Sequence, residues 1–109
     1  MNLKHLITLA LLLPHAVYAA TITGTLVDGG GVDDMSIVVK GANGKTVTAY
    51  CGPCDVEFDT DKDDVQSLKK EFVGRKVILV YKSEKNNDRI AGPGEDFPLL
   101  FVKKLTFLK

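Results

Sequence analysis

Two cysteines three positions apart, Cys51-Gly52-Pro53-Cys54, are the sharpest chemical feature of the 109-residue chain. Thiols at this spacing can close a tight disulfide, exchange it with another thiol pair, or supply half the ligands of a metal. Exchange chemistry needs an accessible thiol whose anion is favoured by nearby cations or a helix N-terminus. Here the acidic stretch Asp55-Val56-Glu57-Phe58-Asp59 follows directly, and neighbouring carboxylates disfavour a thiolate. A structural disulfide between Cys51 and Cys54 is the first expectation, thiol exchange the second and metal binding the third. A loop this short removes little chain entropy, so the disulfide should stabilise the fold only modestly.

Two polar clusters follow. Asp59-Thr60-Asp61-Lys62-Asp63-Asp64 places oxygens at alternating positions, as a calcium loop begins. The rest of that pattern fails: Asp64 stands where the sharp-turn glycine belongs and Lys70 where the bidentate glutamate belongs. Capping of a helix N-terminus accounts for the same residues, so no metal site and no cofactor is expected. Asn86, Asn87, Asp88 and Arg89 open a long polar segment, Ser83 to Asp96, and carry donors and acceptors suited to a glycan or a protein partner. They are the candidate ligand-binding residues. An ordinary hairpin loop is the alternative reading of the same segment.

The N-terminus bears on what these groups can do. Met1 to His5 contains one cation, Lys4, and no acid; Leu6 to Leu13 is almost wholly apolar; Pro14 breaks the run and Val17-Tyr18-Ala19 follows. This is the pattern of a cleavable secretory signal, residues 1–19, and the apolar run is shorter than the roughly 20 residues that span a bilayer. With no cysteine after the cut, no membrane anchor is expected there, and the product should be periplasmic or secreted. Removing 19 of 109 residues leaves 90, a single domain over residues 20–109. Both histidines, His5 and His15, leave with the signal. The remaining serines, Ser36, Ser67 and Ser83, therefore have no imidazole to activate them, which excludes Ser-His hydrolysis. Losing Lys4 leaves 13 cations against 14 carboxylates, a net charge of −1 that speaks against a nucleic-acid partner.

The elements that must position these groups are mostly strands. Thr21 to Val27 alternates with period two until Asp28-Gly29-Gly30-Gly31 interrupts it. Met35 to Lys40 and Lys45 to Tyr50 form a hairpin about Gly41-Ala42-Asn43-Gly44. Val56 and Phe58 suggest a short strand continuation. Val65, Leu68, Phe72 and Val73 then fall on one face of a helix over residues 62–73, with Thr60 or Asp61 as its N-cap and Gly74 as its C-cap. Arg75 to Lys82 and Phe97 to Leu108 supply the last two strands.

The order β-β-β-α-β-β in about 90 residues fits a mainly β fold with one helix, the five-stranded Greek-key barrel called the OB-fold. The chain resembles small secreted bacterial OB-fold proteins and, more distantly, the OB-fold B subunits of pentameric bacterial toxins. The resemblance is carried by Thr23-Gly24-Thr25, Asp33 to Gly41, Gln66-Ser67-Leu68 and Gly74 to Val80. Cys51-Gly52-Pro53-Cys54 also matches the active-site motif of thioredoxins. Tyr50, however, stands where those proteins have tryptophan, and the surrounding elements are not theirs.

The expected function is thus an exported, non-catalytic binding or interaction module whose partner is a protein or a glycan. The alternatives are a periplasmic thiol–disulfide protein using Cys51 and Cys54, and the carbohydrate-binding ring subunit implied by the toxin resemblance. Expressed with its full N-terminus, the protein should accumulate in processed form beginning at or next to Ala20, as N-terminal sequencing would show. An intact species retaining Met1 in the cytoplasm would refute the export assignment.

Overall fold

Alternation of apolar and polar residues produces strands that bury every second side chain. In the computed structural model, which describes residues 19–52 and 54–109, seven strands form one curled sheet. They are β1 (Ala20–Gly31), β2 (Ser36–Gly41), β3 (Thr46–Tyr50), β4 (Phe58–Thr60), β5 (Gln66–Leu68), β6 (Lys76–Lys85) and β7 (Pro98–Phe107). The expected signal lies outside the described residues apart from Ala19, as does Pro53. Among the described residues, no helix is long and apolar enough to cross a membrane.

Five strands close a barrel in the order β1-β2-β3-β7-β6 and back to β1. β1 is shared. Its first half pairs antiparallel with β6, from Ala20 opposite Tyr81 to Thr25 opposite Lys76. Its second half pairs with β2, from Gly24 opposite Gly41 to Gly30 opposite Ser36. The strand changes partner by a bulge between Leu26 and Asp28 that pushes Val27 outward, and such a bulge bends and twists a strand. The barrel closes where β3 meets β7 in a parallel pairing of Tyr50 with Phe101. Inside lie Leu26 of β1, Ile37 and Val39 of β2, Ala49 of β3, Val77 and Leu79 of β6, and Val102 and Leu105 of β7.

Two expectations are corrected. First, Asp28 to Gly31 does not interrupt the first strand, which runs on to Gly31. The glycines let neighbouring backbones close in: Gly30 lies at φ 146°, and a Cβ there would collide with the Gln66 carbonyl of β5.

Second, the helix expected over residues 62–73 is absent. Its place is taken by the hairpin of β4 and β5, paired from Phe58 opposite Leu68 to Thr60 opposite Gln66, and then by a single 3₁₀ turn, Lys70–Phe72. The acids read as helix caps make the hairpin turn instead. Asp61 Oδ1 accepts the backbone N–H of Asp63 at 2.8 Å and of Val65 at 3.0 Å, and Asp64 adopts φ 62°. Aspartate side chains serve caps and turns by the same local bonding, and here the turn wins because β5 gains a partner on each side, β4 and the end of β1. The four apolar residues of the expected helical face are divided accordingly. Leu68 joins the core and Phe72 packs on Phe107 with ring centroids 5.7 Å apart, whereas Val65 and Val73 are exposed.

This division can be measured. Leu68→Ala should lower unfolding free energy by about 2–5 kcal/mol, as for other buried leucines. Val65→Ala and Val73→Ala should each stay within about 0.5 kcal/mol of the parent. Urea unfolding of the three variants checks the hairpin: comparable losses at positions 65, 68 and 73 would restore the helical face.

Candidate functional site

The connections at one end of the barrel, β1–β2 and β6–β7, are drawn together with the turn that follows β3. The β6–β7 connection, residues 86–97, is built around the buried side chain of Asn86, which is fully shielded from solvent. Its amide donates to the carbonyls of Ile90 at 2.9 Å and Pro93 at 3.0 Å, and its Oδ1 accepts the Ile90 N–H at 2.7 Å. The Asn86 backbone N–H donates to the Phe97 carbonyl at 2.8 Å, and that of Asn87 to the Glu95 carbonyl at 2.8 Å. One side chain thus satisfies three backbone groups that the bend would otherwise leave without partners, each a costly omission in a buried place. The loop is tied to the β1–β2 connection by the Ala91 N–H, which donates to Asp34 Oδ2 at 3.1 Å.

The four candidate ligand-binding residues therefore separate. Asn86 faces inward and organises the loop. Arg89 is largely engaged: it donates to the Asn86 carbonyl at 3.1 Å, the Lys85 carbonyl at 2.7 Å and Glu84 Oε1 at 3.1 Å. Its guanidinium also lies 3.7 Å from the ring centroid of Phe101. Asn87 and Asp88 are exposed and sit at φ 48° and 61°, left-handed conformations that asparagine and aspartate tolerate better than most residues. Among the described residues their side chains make no hydrogen bond, so these two point their polar groups to solvent. Phe97, at the far end of the loop, is 55% exposed, a large apolar side chain left outside the core.

Cys51 and Cys54 form a disulfide with Cα atoms 5.3 Å apart, and both pack against the edge of the core. The Cys51 N–H donates to the Met35 carbonyl at 2.8 Å, which fixes the cysteine turn to the β1–β2 connection. A groove of about 290 Å³ runs between these parts, with Asp34, Cys51, Gly52, Arg89, Phe101 and Lys103 among its walls. Sequence reasoning missed Asp34, Phe101 and Lys103. Phe101 and Lys103 are far in the chain from the cysteines, and Asp34 is far from the polar loop, so only barrel closure brings the three together.

Charge at this end is organised by Glu84. Its carboxylate meets Lys103 Nζ at 2.7 Å and Arg89 Nη1 at 3.1 Å. The Lys103 hydrogen bond, followed by that of Arg89, holds the Glu84 carboxyl below its ordinary value despite an opposing effect of burial. Among the described residues, no three His, Cys, Asp or Glu side chains converge as a metal site would require.

A lowered carboxyl pKa means that the folded state binds its proton less readily than the unfolded chain does. The resulting stability is present above the ordinary value of 4.5 and is lost as pH falls through the lower folded value. Glu84→Gln should therefore flatten this part of the stability profile below about pH 5 and lower stability slightly at neutral pH. Chemical denaturation across pH checks it, and an unchanged acid limb would show that the cluster does not couple to folding.

No protein-family model, no curated protein and no solved structure matches the chain. Its functional reading rests on the geometry of this end of the barrel.

Proposed function

We propose that the protein is an exported OB-like barrel acting as a non-catalytic binding module, with the β1–β2 and β6–β7 connections as its contact surface. The order of strands around the barrel supports the OB-like assignment, with β1 shared between two partners and the third strand of the barrel meeting the last in parallel. In barrels of that kind the corresponding two connections flank the usual ligand face. The departure is the segment between the third and fourth barrel strands, where the β4–β5 hairpin stands in place of a helix. The disulfide fits an oxidising compartment, in agreement with the signal-like N-terminus.

The observation that carries the reading is the internal bonding of the β6–β7 connection. Asn86 and the Asp34–Ala91 contact hold it in one shape, while Asn87, Asp88 and Phe97 are left outward. A loop ordered during folding loses less conformational entropy when it binds. An exposed aromatic beside polar groups is also the usual composition of an energetic centre in an interface. The partner is a protein or a glycan, and near-neutral charge speaks against nucleic acid.

The test compares the mature parent with a variant carrying Asn87→Ala, Asp88→Ala and Phe97→Ala in affinity capture from the envelope of the producing cell. The variant should still fold, with a melting temperature only modestly lowered because alanine is less at ease than asparagine or aspartate in the left-handed backbone at positions 87 and 88, and should lose the captured partner. Equal capture by both proteins would place the contact surface elsewhere.

A further inference from the structure

The barrel wall is incomplete beside the start of β1. Residues 20–23 pair with β6 along one edge, but β2 joins the other edge only from Gly24 onward. Among the described residues no strand covers that second edge, so every second residue of 20–23 directs its N–H and C=O groups away from β6 without a strand partner. A gap of about 510 Å³ lies there, between Thr21, Ile22 and Thr23 on one side and the β2–β3 turn on the other. Its floor includes Ile22, Val47 and Tyr81, half-buried residues that pack against the core. Exposed edges are commonly blunted by lysine or proline on the strand itself; Ala20-Thr21-Ile22-Thr23 contains neither.

The charges around this gap have one sign. An adjoining groove of about 360 Å³ shares Thr23, Gly41 and Ala42 with it and is lined by Lys40 and Lys76, while Lys45 lines the gap itself. No carboxylate lines either space, and among the described residues none of these three lysines forms a salt bridge. Lys76 Nζ donates only to the Thr25 hydroxyl, at 3.3 Å. A net charge near zero over the chain therefore conceals a cationic rim at this place.

We propose that this gap binds an extended, acidic peptide segment of a partner protein, which adds as a strand to the free edge of β1. Strand addition supplies main-chain hydrogen bonds for affinity and sends alternate side chains to opposite faces. One set meets the apolar floor and the other reaches the lysines, so the segment alternates apolar residues with aspartate or glutamate. Four residues of free edge span about 13 Å, at roughly 3.3 Å per residue, which suits a short linear segment. The gap and its adjoining groove share no lining residue with the groove beside the cysteine turn. The site is thus a second contact, beyond the surface formed by the β1–β2 and β6–β7 connections.

The probe is a fluorescent peptide of eight residues alternating glutamate with valine, titrated with the mature protein and read by anisotropy. The parent should bind it, and Lys40→Ala, Lys45→Ala and Lys76→Ala together should weaken binding about tenfold or more, with the circular dichroism spectrum unchanged. Two N-methylated peptides, one blocked at every glutamate nitrogen and the other at every valine nitrogen, test main-chain pairing on the parent alone. One should bind about tenfold more weakly or worse, because its blocked nitrogens face β1, and the other should bind like the unmodified peptide. No binding by the parent, equal behaviour of the two methylated peptides, or undiminished binding by the lysine variant would each overturn the proposal. Displacement by polygalacturonate at equal carboxylate concentration would overturn it too, by showing a surface that takes any polyanion. Self-association of the parent removed by the lysine substitutions would assign the gap to a second copy instead. The loop variant carrying Asn87→Ala, Asp88→Ala and Phe97→Ala should bind the peptide like the parent; loss there would move the peptide to the loop surface and remove this inference, whatever the outcome of partner capture.

Discussion

The barrel closes through little backbone pairing. β3 and β7 meet in parallel at Tyr50 and Phe101, whereas the other barrel contacts are antiparallel ladders of several residues. What the seam lacks in ladder hydrogen bonds it recovers through side chains. The Phe101 ring lies 6.2 Å from that of Tyr50 and carries the Arg89 guanidinium 3.7 Å from its centroid. Cation–π and aromatic contacts of this kind contribute on the order of 1 kcal/mol each. Arg89 in turn belongs to the loop organised by Asn86, and Tyr50 immediately precedes the first cysteine. The groove, the disulfide and the polar loop converge here because all three adjoin the seam where the sheet comes full circle.

A second constraint sets the shape of the barrel. At Gly24 and Thr25, β1 pairs with β2 on one side and β6 on the other. The Lys40 carbonyl approaches Gly24 so closely that a Cβ would collide with it, so the residue shared between these two neighbouring strands must be glycine. Just beyond, the bulge at Val27 turns the strand. The Leu26 N–H donates to the Arg75 carbonyl at 2.9 Å, and its carbonyl accepts the Gly74 N–H at 2.7 Å. The start of β6 is thereby clamped to the bend of β1, and the direction of β6 decides where its far end delivers Asn86 and the loop. Local geometry at Leu26 thus acts on the candidate site through one rigid strand.

Much of this was readable from residue order. Strand periodicity located four of the five barrel strands within three residues at their ends and stopped the first four residues short of Gly31, and Gly41-Ala42-Asn43-Gly44 named its turn, in which Gly44 N–H donates to the Gly41 carbonyl at 3.0 Å. The cysteine spacing implied the disulfide. The hairpin at residues 58–68 was not readable, because Val65, Leu68, Phe72 and Val73 satisfy helical spacing, and Asp61 is equally suited to capping a helix or closing a turn. The choice was made by pairing with the end of β1, a contact between residues far apart in the chain. Asn86 was singled out for the right segment but a different role: its amide could have faced a ligand, and only the fold shows that it faces Ile90 and Pro93. Asp34, Phe101 and Lys103 had no local signal at all, since their meaning comes from the closure of the sheet.

The division of labour within Asn86-Asn87-Asp88-Arg89 has a physical logic. A loop of this length becomes a usable surface only if its backbone is held, and holding it consumes the groups with the longest reach or the best buried geometry. Asn86 can both donate and accept, so it alone can satisfy an N–H and carbonyls at once from one buried position. Arg89 has enough donors to bond two carbonyls and a carboxylate while its flat face covers Phe101. The two residues between them must pass through left-handed backbone, where asparagine and aspartate are among the least strained side chains available. Their outward orientation follows from that turn: Asn87 and Asp88 are placed at the surface by the same bonds that shape the loop, whose Arg89 and Ile90 help to line the groove beside the cysteine turn.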